Sequence, residues 1–335
     1  MKLLTSEEFL NDTNVIMENM PFCLQRDYLS LYPSIEVFRV GRLYAPVKRQ
    51  SFKKFKTMQF QFAPVDHLGE KPSPEQEQEF CNDVVSYCET NRIAHRIVQP
   101  VTHCLFSASP DNCIKIPFGT YKIDLNLSEE EILKKMQARY RSSINQASQL
   151  NPEIRYGISE LKKFQELHEE TMKRTVNFHE SYATLKSELD ALPKNALLAT
   201  VYLNNELQGG LYVLYSKFGS YYMHGASSKK TSAQGAIRFL HYKIMCELKK
   251  KGVKYYDFVG ARLSDVSGTK YEGIQDFKRR FGAELTEGFL WKKDIEPKIA
   301  SSYDVLLKIK CKLKGSPYPK DIIDQEKNKF KKIIS

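Results

Sequence analysis

The chain lacks most of the signatures that announce a familiar chemistry. In its 335 residues there is no GxxxxGK[ST] and no GxGxxG. Neither loop that cradles phosphates ahead of a helix is therefore indicated, which argues against a P-loop kinase or a dinucleotide enzyme. There is no CxxC pair either. The seven cysteines (Cys23, Cys81, Cys88, Cys104, Cys113, Cys246 and Cys311) are odd in number and scattered. That pattern suits thiols in a reducing compartment better than a zinc knuckle or a disulfide framework. No run of 18 apolar residues occurs, so no membrane span is expected. Glu7 and Glu8 interrupt the apolar start, so no secretory leader is read there, and a cytoplasmic location is expected. Acid is also in short supply: 40 Asp+Glu against 51 Lys+Arg leave a net charge of +11. The excess favours anionic partners, with a solvated lysine-rich surface as the plain alternative.

What is present reads as mixed α and β. Thr5-Ser6-Glu7-Glu8 and Ser128-Glu129-Glu130-Glu131 are capping boxes that open helices. Short strands are expected at Ile35–Val40, Leu43–Val47 and Met58–Phe62, then a helix from Pro74 to about Asn91 and a strand at Arg96–Gln99. Ile123–Leu127 reads as a strand, followed by one helix from Ser128 to about Leu150. A strand at Glu153–Tyr156 and a helix capped by Ser159 come next. Ala196–Leu203, Leu207–Tyr215 and Ser220–Gly225 form a meander around the turn Asn204-Asn205. An amphipathic helix with Ile237, Leu240, Ile244 and Leu248 on one face closes at Lys249-Lys250-Lys251-Gly252. Strand, helix and strand follow to Trp291. The last 44 residues hold twelve lysines against six acids and read as a helix at Ser302–Leu313 and a short terminal helix.

One stretch stands apart. Tyr255–Gly282 reads as a strand opening onto Gly260, a polar loop, and a helix Gly273–Phe281 stopped by Gly282. A carboxylate, Asp257, stands at the strand end, where α/β sheets commonly carry site residues. Lys278 lies between Phe277 and Phe281. Packing alone predicts a surface lysine over two buried rings, and an Asp257 that caps the next loop or pairs with Arg279 or Arg280.

The order of meander, helix and strand resembles the acetyltransferase-type fold known as GNAT. In that family the loop opening the central helix carries [QR]-x-x-G-x-[GA] and holds the pyrophosphate of coenzyme A. Ser228–Ala236 supplies Ser232, Gln234 and Gly235 as donor-binding candidates, but no Gln or Arg at the expected offset. Free coenzyme A is therefore a doubtful donor. Several blocks together resemble the FemA/FemB/FemX aminoacyltransferases. They are Arg139-Tyr140-Arg141-Ser142-Ser143-Ile144-Asn145-Gln146-Ala147, Glu170-Thr171-Met172-Lys173-Arg174, Tyr222–Ser227, Tyr256-Asp257-Phe258-Val259-Gly260 and Gly273–Gly282. The resemblance covers about residues 120–292 well and 1–119 by layout only.

The resemblance implies an α/β (α+β) fold of two tandem GNAT-like lobes without a coiled-coil arm. Residues 1–119 would be a degenerate first lobe, 120–292 the lobe with the family motifs, and 293–335 a basic helical tail packed on the first lobe. It implies transfer of an aminoacyl group from its transfer-RNA ester to an amine on a peptidoglycan or surface-glycan precursor, with no tightly bound cofactor and no metal. Lys278 matches the lysine proposed to stabilise the oxyanion. Asp257 and His224 are candidates for proton transfer, each with a packing role as its alternative. Substrate-binding candidates are Arg139, Arg141, Tyr256, Tyr271 and the stretch Arg39–Met58. That stretch holds seven Lys/Arg, among them Arg39, Lys48 and Arg49, and no acid. Its plain reading is a sheet edge guarded by lysines. The implied partners are charged transfer-RNA and an anionic glycan or lipid-linked precursor, with attraction to the inner membrane surface as a secondary reading. The enzymatic alternative is an N- or O-acyltransferase that uses acyl-CoA or an acyl carrier protein on a surface polysaccharide. The non-enzymatic alternative is a GNAT-like module that only binds RNA or glycan.

Overall fold

The computed structural model describes residues 1–175 and 180–331. Strands, in chain order, are β1 (Lys2–Thr5), β2 (Ile35–Val40), β3 (Leu43–Phe52), β4 (Phe55–Phe60), β5 (Val65–Asp66), β6 (Arg96–Ile97), β7 (Ile114–Asp124), β8 (Glu153–Tyr156), β9 (Ala196–Leu203), β10 (Glu206–Ser216), β11 (Gly219–Ser227), β12 (Tyr255–Asp257), β13 (Ala261–Arg262) and β14 (Glu284–Asp294). Helices are α1 (Ser6–Leu10), α2 (Arg26–Leu31), α3 (Pro74–Asn91), α4 (Glu129–Lys135), α5 (Ala138–Gln149), α6 (Leu161–Thr175), α7 (Tyr182–Ala191), α8 (Thr231–Lys250), α9 (Lys270–Arg280), α10 (Pro297–Leu313) and α11 (Ile322–Lys331).

The same plan occurs twice. In the first half β2, β3 and β4 form an antiparallel meander, α3 crosses over, and β6 returns parallel to β4. In the second half β9, β10 and β11 form the meander, α8 crosses over, and β12 returns parallel to β11. Each helix crossover is what a parallel strand pair needs. These two tandem GNAT-like halves share one sheet in the order β1-β2-β3-β4-β6-β14-β7-β12-β11-β10-β9-β8. β14 is the joint: it pairs with β7 from Glu284 to Lys292 and with β6 through Lys293 and Asp294. No coiled-coil arm occurs among the described residues.

Several elements differ from their expected bounds. The capping box at Thr5 forms, but Lys2–Thr5 ahead of it is an edge strand on β2, not part of the helix. The strand expected at Ile123–Leu127 is the end of β7, which starts at Ile114 and runs through the lobe junction expected at 119–120. The single helix expected after Ser128 is two, because Met136 (ψ 148°) and Gln137 (ψ 145°) are extended between α4 and α5. α7, capped by Ser181, was not anticipated. β3 lies between β2 and β4, so its basic residues do not guard a sheet edge.

Burial follows strand alternation. Leu211 and Val213 of β10 join Ile144, Leu240 and Phe281 in the core under α4, α5, α8 and α9. Tyr212 and Leu214 face the other way, into the core with Phe22, Leu161 and Leu185. A third core, with Trp291 and Phe60, lies under α3. α10 lies against the β3–β4 hairpin, where Tyr303 stacks on Phe55 with centroids 4.0 Å apart. α11 seats Ile323 on Ile116, Phe118 and Leu290.

Candidate active site

β11 and β12 pair only at Ser220–Tyr256 and Tyr221–Asp257. Beyond that point β12 ends in a turn, Asp257–Gly260. Val259 there adopts φ 53° and Gly260 φ 74°. A β-branched residue rarely takes that conformation, which costs on the order of 1–3 kcal/mol unless its surroundings hold it. Two opposite charges hold it. Oδ1 of Asp257 accepts the Val259 N–H at 2.7 Å, and Lys278 Nζ donates to the Val259 carbonyl at 2.6 Å and the Gly260 carbonyl at 2.5 Å. The sequence therefore needs Asp at the strand end and Lys on the returning helix to stabilise one turn.

Lys278 is not a surface lysine: it is 6% exposed. Burial pushes its pKa down to about 8, a fall that the nearby Asp257 carboxylate opposes. Its two carbonyl bonds use two of the three donors of an ammonium. α9, which carries it, starts at the Thr269 cap and ends with Lys278, Arg279 and Arg280 in its last turn, the charge its dipole favours. Gly282 closes it at φ 75°, where a Cβ would lie 2.4 Å from the Lys135 carbonyl, so only glycine fits. The rings flanking Lys278 behave unequally: Phe281 is fully buried and Phe277 half-buried.

Asp257 is also buried. It accepts the Thr120 hydroxyl and lies 3.6 Å from Lys122 Nζ. The expected pairing with Arg279 or Arg280 does not occur, because both arginines engage Asp276. Asp257 instead lines a cavity of about 80 Å³ where the two halves meet, together with Lys71, Glu77, His103, Lys122, Tyr221 and Tyr255. Lys122 also lies over the Tyr255 ring, 4.5 Å from its centroid. Lys71 is exposed as a residue, but its ammonium end is desolvated at the cavity; that and the neighbouring Lys122 push its pKa down to about 8. Burial raises the Glu77 carboxyl, which accepts the Ser107 N–H at 2.9 Å and its hydroxyl. His103 is held near pKa 4 by burial, and its Nε2 has no partner among the described residues.

The other candidates fall in different places. Tyr256 points to the opposite face of β12, fully buried, with its hydroxyl 3.0 Å from His241 Nδ1. That is a core position, and Tyr256 does not line the cavity. His224 lies against His168 and Tyr212, with ring centroids 5.3 and 6.0 Å away, and burial holds it near pKa 4. It does not line the cavity. Arg141 donates to the Lys134 carbonyl at 3.1 Å and to that of Met136, capping α4, while Arg139 is exposed on α5. Arg39 pairs with Asp12 at 2.9 Å, Arg49 grips Glu36 bidentately, and Lys48 is half-buried on β3. The structure therefore spends Arg39 and Arg49 on intramolecular pairs. Tyr271 underlies the Arg262 guanidinium at 3.9 Å; Arg262 also pairs with the buried Glu326, tying α11 to the loop before α9. Of the donor-binding candidates, the Ser232 side chain lies outside the described residues. Gln234 is exposed and accepts from Arg238 at 3.4 Å. A Cβ on Gly235 would sit 3.4 Å from Ser143, so α8 crosses α5 there. Cys104 is fully buried with its thiol pKa raised well above the usual value, which leaves it inert. Of the cavity residues, Lys71, Glu77 and Lys122 carry no site signal in the sequence, and His103 stands out there only as the neighbour of Cys104.

The comparisons with known proteins bear on the fold and the domain. Residues 134–279 match the family described as Acetyltransferase (GNAT) domain. The structure is similar to that of FemX, with TM-score 0.66 and 14% identity over 90% of this chain and 99% of that one. It is also similar to the C-terminal domain of a putative lysylphosphatidylglycerol synthetase from Agrobacterium fabrum (TM-score 0.53, 15% identity, 89% of this chain and 96% of that one). L-PGS from Bacillus licheniformis has TM-score 0.50 and 13% identity over 79% of this chain and 86% of that one. No curated protein matches. At these identities the structural likeness is one of fold. The chain is an acyltransferase whose second half carries a GNAT domain, set in a tandem fold like that of FemX.

Proposed function

We propose that the enzyme transfers an aminoacyl group from charged transfer-RNA to an amine on an anionic peptidoglycan or surface-glycan precursor. The observation that carries this reading is Asp257, which lines a charged cavity between the halves and, with Lys278 behind it, clamps the turn Asp257–Gly260. The reaction exchanges an ester for an amide, so it needs no ATP. The amine attacks the ester carbonyl, an oxyanion forms, the ribose hydroxyl leaves, and the amine gives up a proton. Lys278 holds a desolvated cation beside the turn, and a cation in a water-poor site stabilises a forming oxyanion far more than one in bulk water. Asp257, one of the carboxylates lining the cavity with Glu77 and Glu287, is placed to take the amine proton. Lys71 and Lys122 supply positive charge for a phosphorylated acceptor.

The start of α8 supports a donor site in the second half. Its cap residue, Lys230, makes no side-chain cap bond, and its first turn holds no acid. Backbone N–H groups at such a helix end suit a phosphate. The same helix end, inside a domain matched as an acetyltransferase, favours an acyl thioester as the second donor reading. Single-turnover transfer from charged transfer-RNA, with and without ribonuclease, separates the two. Transfer abolished by ribonuclease supports the first reading. Ribonuclease-insensitive transfer from an acyl thioester overturns it.

A further inference from the structure

α10 is a 17-residue helix with a single buried residue, Ala300. It docks through Tyr303, which stacks on Phe55, and Asp304, which receives Nη1 and Nη2 of Arg96 at 2.9 Å each. Its outward stripe is apolar: Ile299, Leu306 and Leu313 recur every seven residues, with Ile309 between. They are 41%, 65%, 83% and 51% exposed. The β3–β4 hairpin extends this surface. Phe52 at its tip is 51% exposed and meets the edge of Tyr303 at 6.1 Å. Hairpin and helix together line an open apolar groove of about 640 Å³. Two elements some 250 residues apart in sequence thus present one exposed apolar face, which a monomer in water seldom keeps without a partner.

The charge around the face selects the partner. Lys53, Lys54 and Lys56 on the hairpin, Lys298, Lys308, Lys310 and Lys312 on the helix, and Lys314 just after it are all exposed. Asp304, the acid within the helix, is already bound by Arg96. Two copies meeting through this face would bring like charges together. A lipid bilayer with anionic headgroups offers hydrocarbon for the leucines and phosphate for the lysines, which is how an interfacial amphipathic helix binds.

We propose that α10 and the tip of the β3–β4 hairpin form a docking surface for an anionic membrane, with Phe52, Leu306, Ile309 and Leu313 entering the interface. This surface is separate from the cavity at Asp257 and does not depend on the reaction assigned there. It is tested by flotation of the full chain with vesicles of phosphatidylcholine alone or mixed with phosphatidylglycerol. Binding to the mixed vesicles is expected to exceed that to neutral ones by at least about tenfold at low salt and to fall as salt rises. Leu306→Glu/Leu313→Glu changes only solvent-facing positions. It is expected to lower vesicle binding at least about tenfold with an unchanged melting curve. Lys53→Glu/Lys54→Glu/Lys310→Glu should abolish the preference for phosphatidylglycerol. Absence of binding to the mixed vesicles overturns the proposal. So does a dimer in sedimentation velocity that Leu306→Glu/Leu313→Glu dissociates, since the face would then be a self-interface.

Discussion

The two halves of the molecule share a strand plan and differ in what they do with it. Both run a meander, a crossover helix and a short parallel strand. The first crossover helix, α3, is sealed at its start by the Ser73–Gln76 capping box, with Glu75 and Glu77 in its first turn. The second, α8, starts with neither a side-chain cap nor an acid. The returning strands differ as sharply. β6 carries Arg96, whose guanidinium is fixed between Asp294 and Asp304. β12 carries Asp257, which faces a cavity and stabilises a left-handed valine. One fold thus carries a fixed structural arginine in one half and a carboxylate that lines the shared cavity in the other. Charge placement at two equivalent points makes the difference.

Perturbing those points should give opposite outcomes. The largest effect is expected for Lys278→Met. Transfer in a single turnover should fall about 10²–10³-fold, as for loss of one oxyanion donor. Because the Val259 and Gly260 carbonyls would lose their donor, stability should also fall, by about 1–3 kcal/mol in urea melts. A surface lysine would leave stability untouched, so the burial of Lys278 changes what its loss should do. Wild-type turnover in this variant would remove Lys278 from the chemistry.

Asp257→Asn keeps an acceptor for the Val259 N–H but loses the base. Transfer should fall about 10²-fold with melting shifted little. A variant that unfolds instead would make Asp257 a structural residue.

The pH dependence follows from Lys278. In the folded chain it ionises near 8, against 10.5 for an ordinary lysine. Between those values the unfolded chain holds the proton and the folded chain does not. Stability relative to Lys278→Met should therefore rise as pH climbs from about 8 to about 10.5. Transfer, if it uses the Lys278 cation as proposed, should decline as pH rises through about 8. Lys71 titrates similarly, and referring wild type to the variant isolates Lys278.

In the first half, Arg96→Met should cost about 1–2 kcal/mol in melts, through loss of a partly exposed bidentate pair, and leave transfer within about threefold. The smallest effect is expected for His224→Gln, away from the cavity. Its transfer should stay within about threefold of wild type.

Much of the second half was legible because its signals are local. Three strands around Asn204-Asn205, a helix closed by Lys249-Lys250-Lys251-Gly252, and a strand ending in Asp257 each declare themselves within a dozen residues. β7 did not, since it contains Pro117 and Gly119, residues that weaken a strand's signal. Paired with β14, Pro117 lies opposite Phe289, and a Cβ at Gly119 would sit 3.0 Å from Leu285 and Thr286. The division between α4 and α5 has no Gly or Pro to mark it. The structural repeat is carried by strand pairing rather than by sequence self-similarity, so only the family resemblance pointed to two tandem lobes. Lys278 and Asp257 could be singled out, but their shared turn could not, because Val259 gives no sign of a left-handed conformation. The cavity was hidden for a similar reason: Lys71, Glu77, His103 and Lys122 come from four separate segments. In sequence, Glu77 is a helix-dipole acid and nothing more.

The most direct test is one single-turnover experiment with wild type and Lys278→Met side by side. The donor is charged transfer-RNA, and transfer is followed with and without ribonuclease. The account predicts ribonuclease-sensitive transfer by wild type and a loss of about a hundredfold or more in the variant. Equal transfer by both proteins, or transfer from an acyl thioester that ribonuclease does not touch, would contradict it.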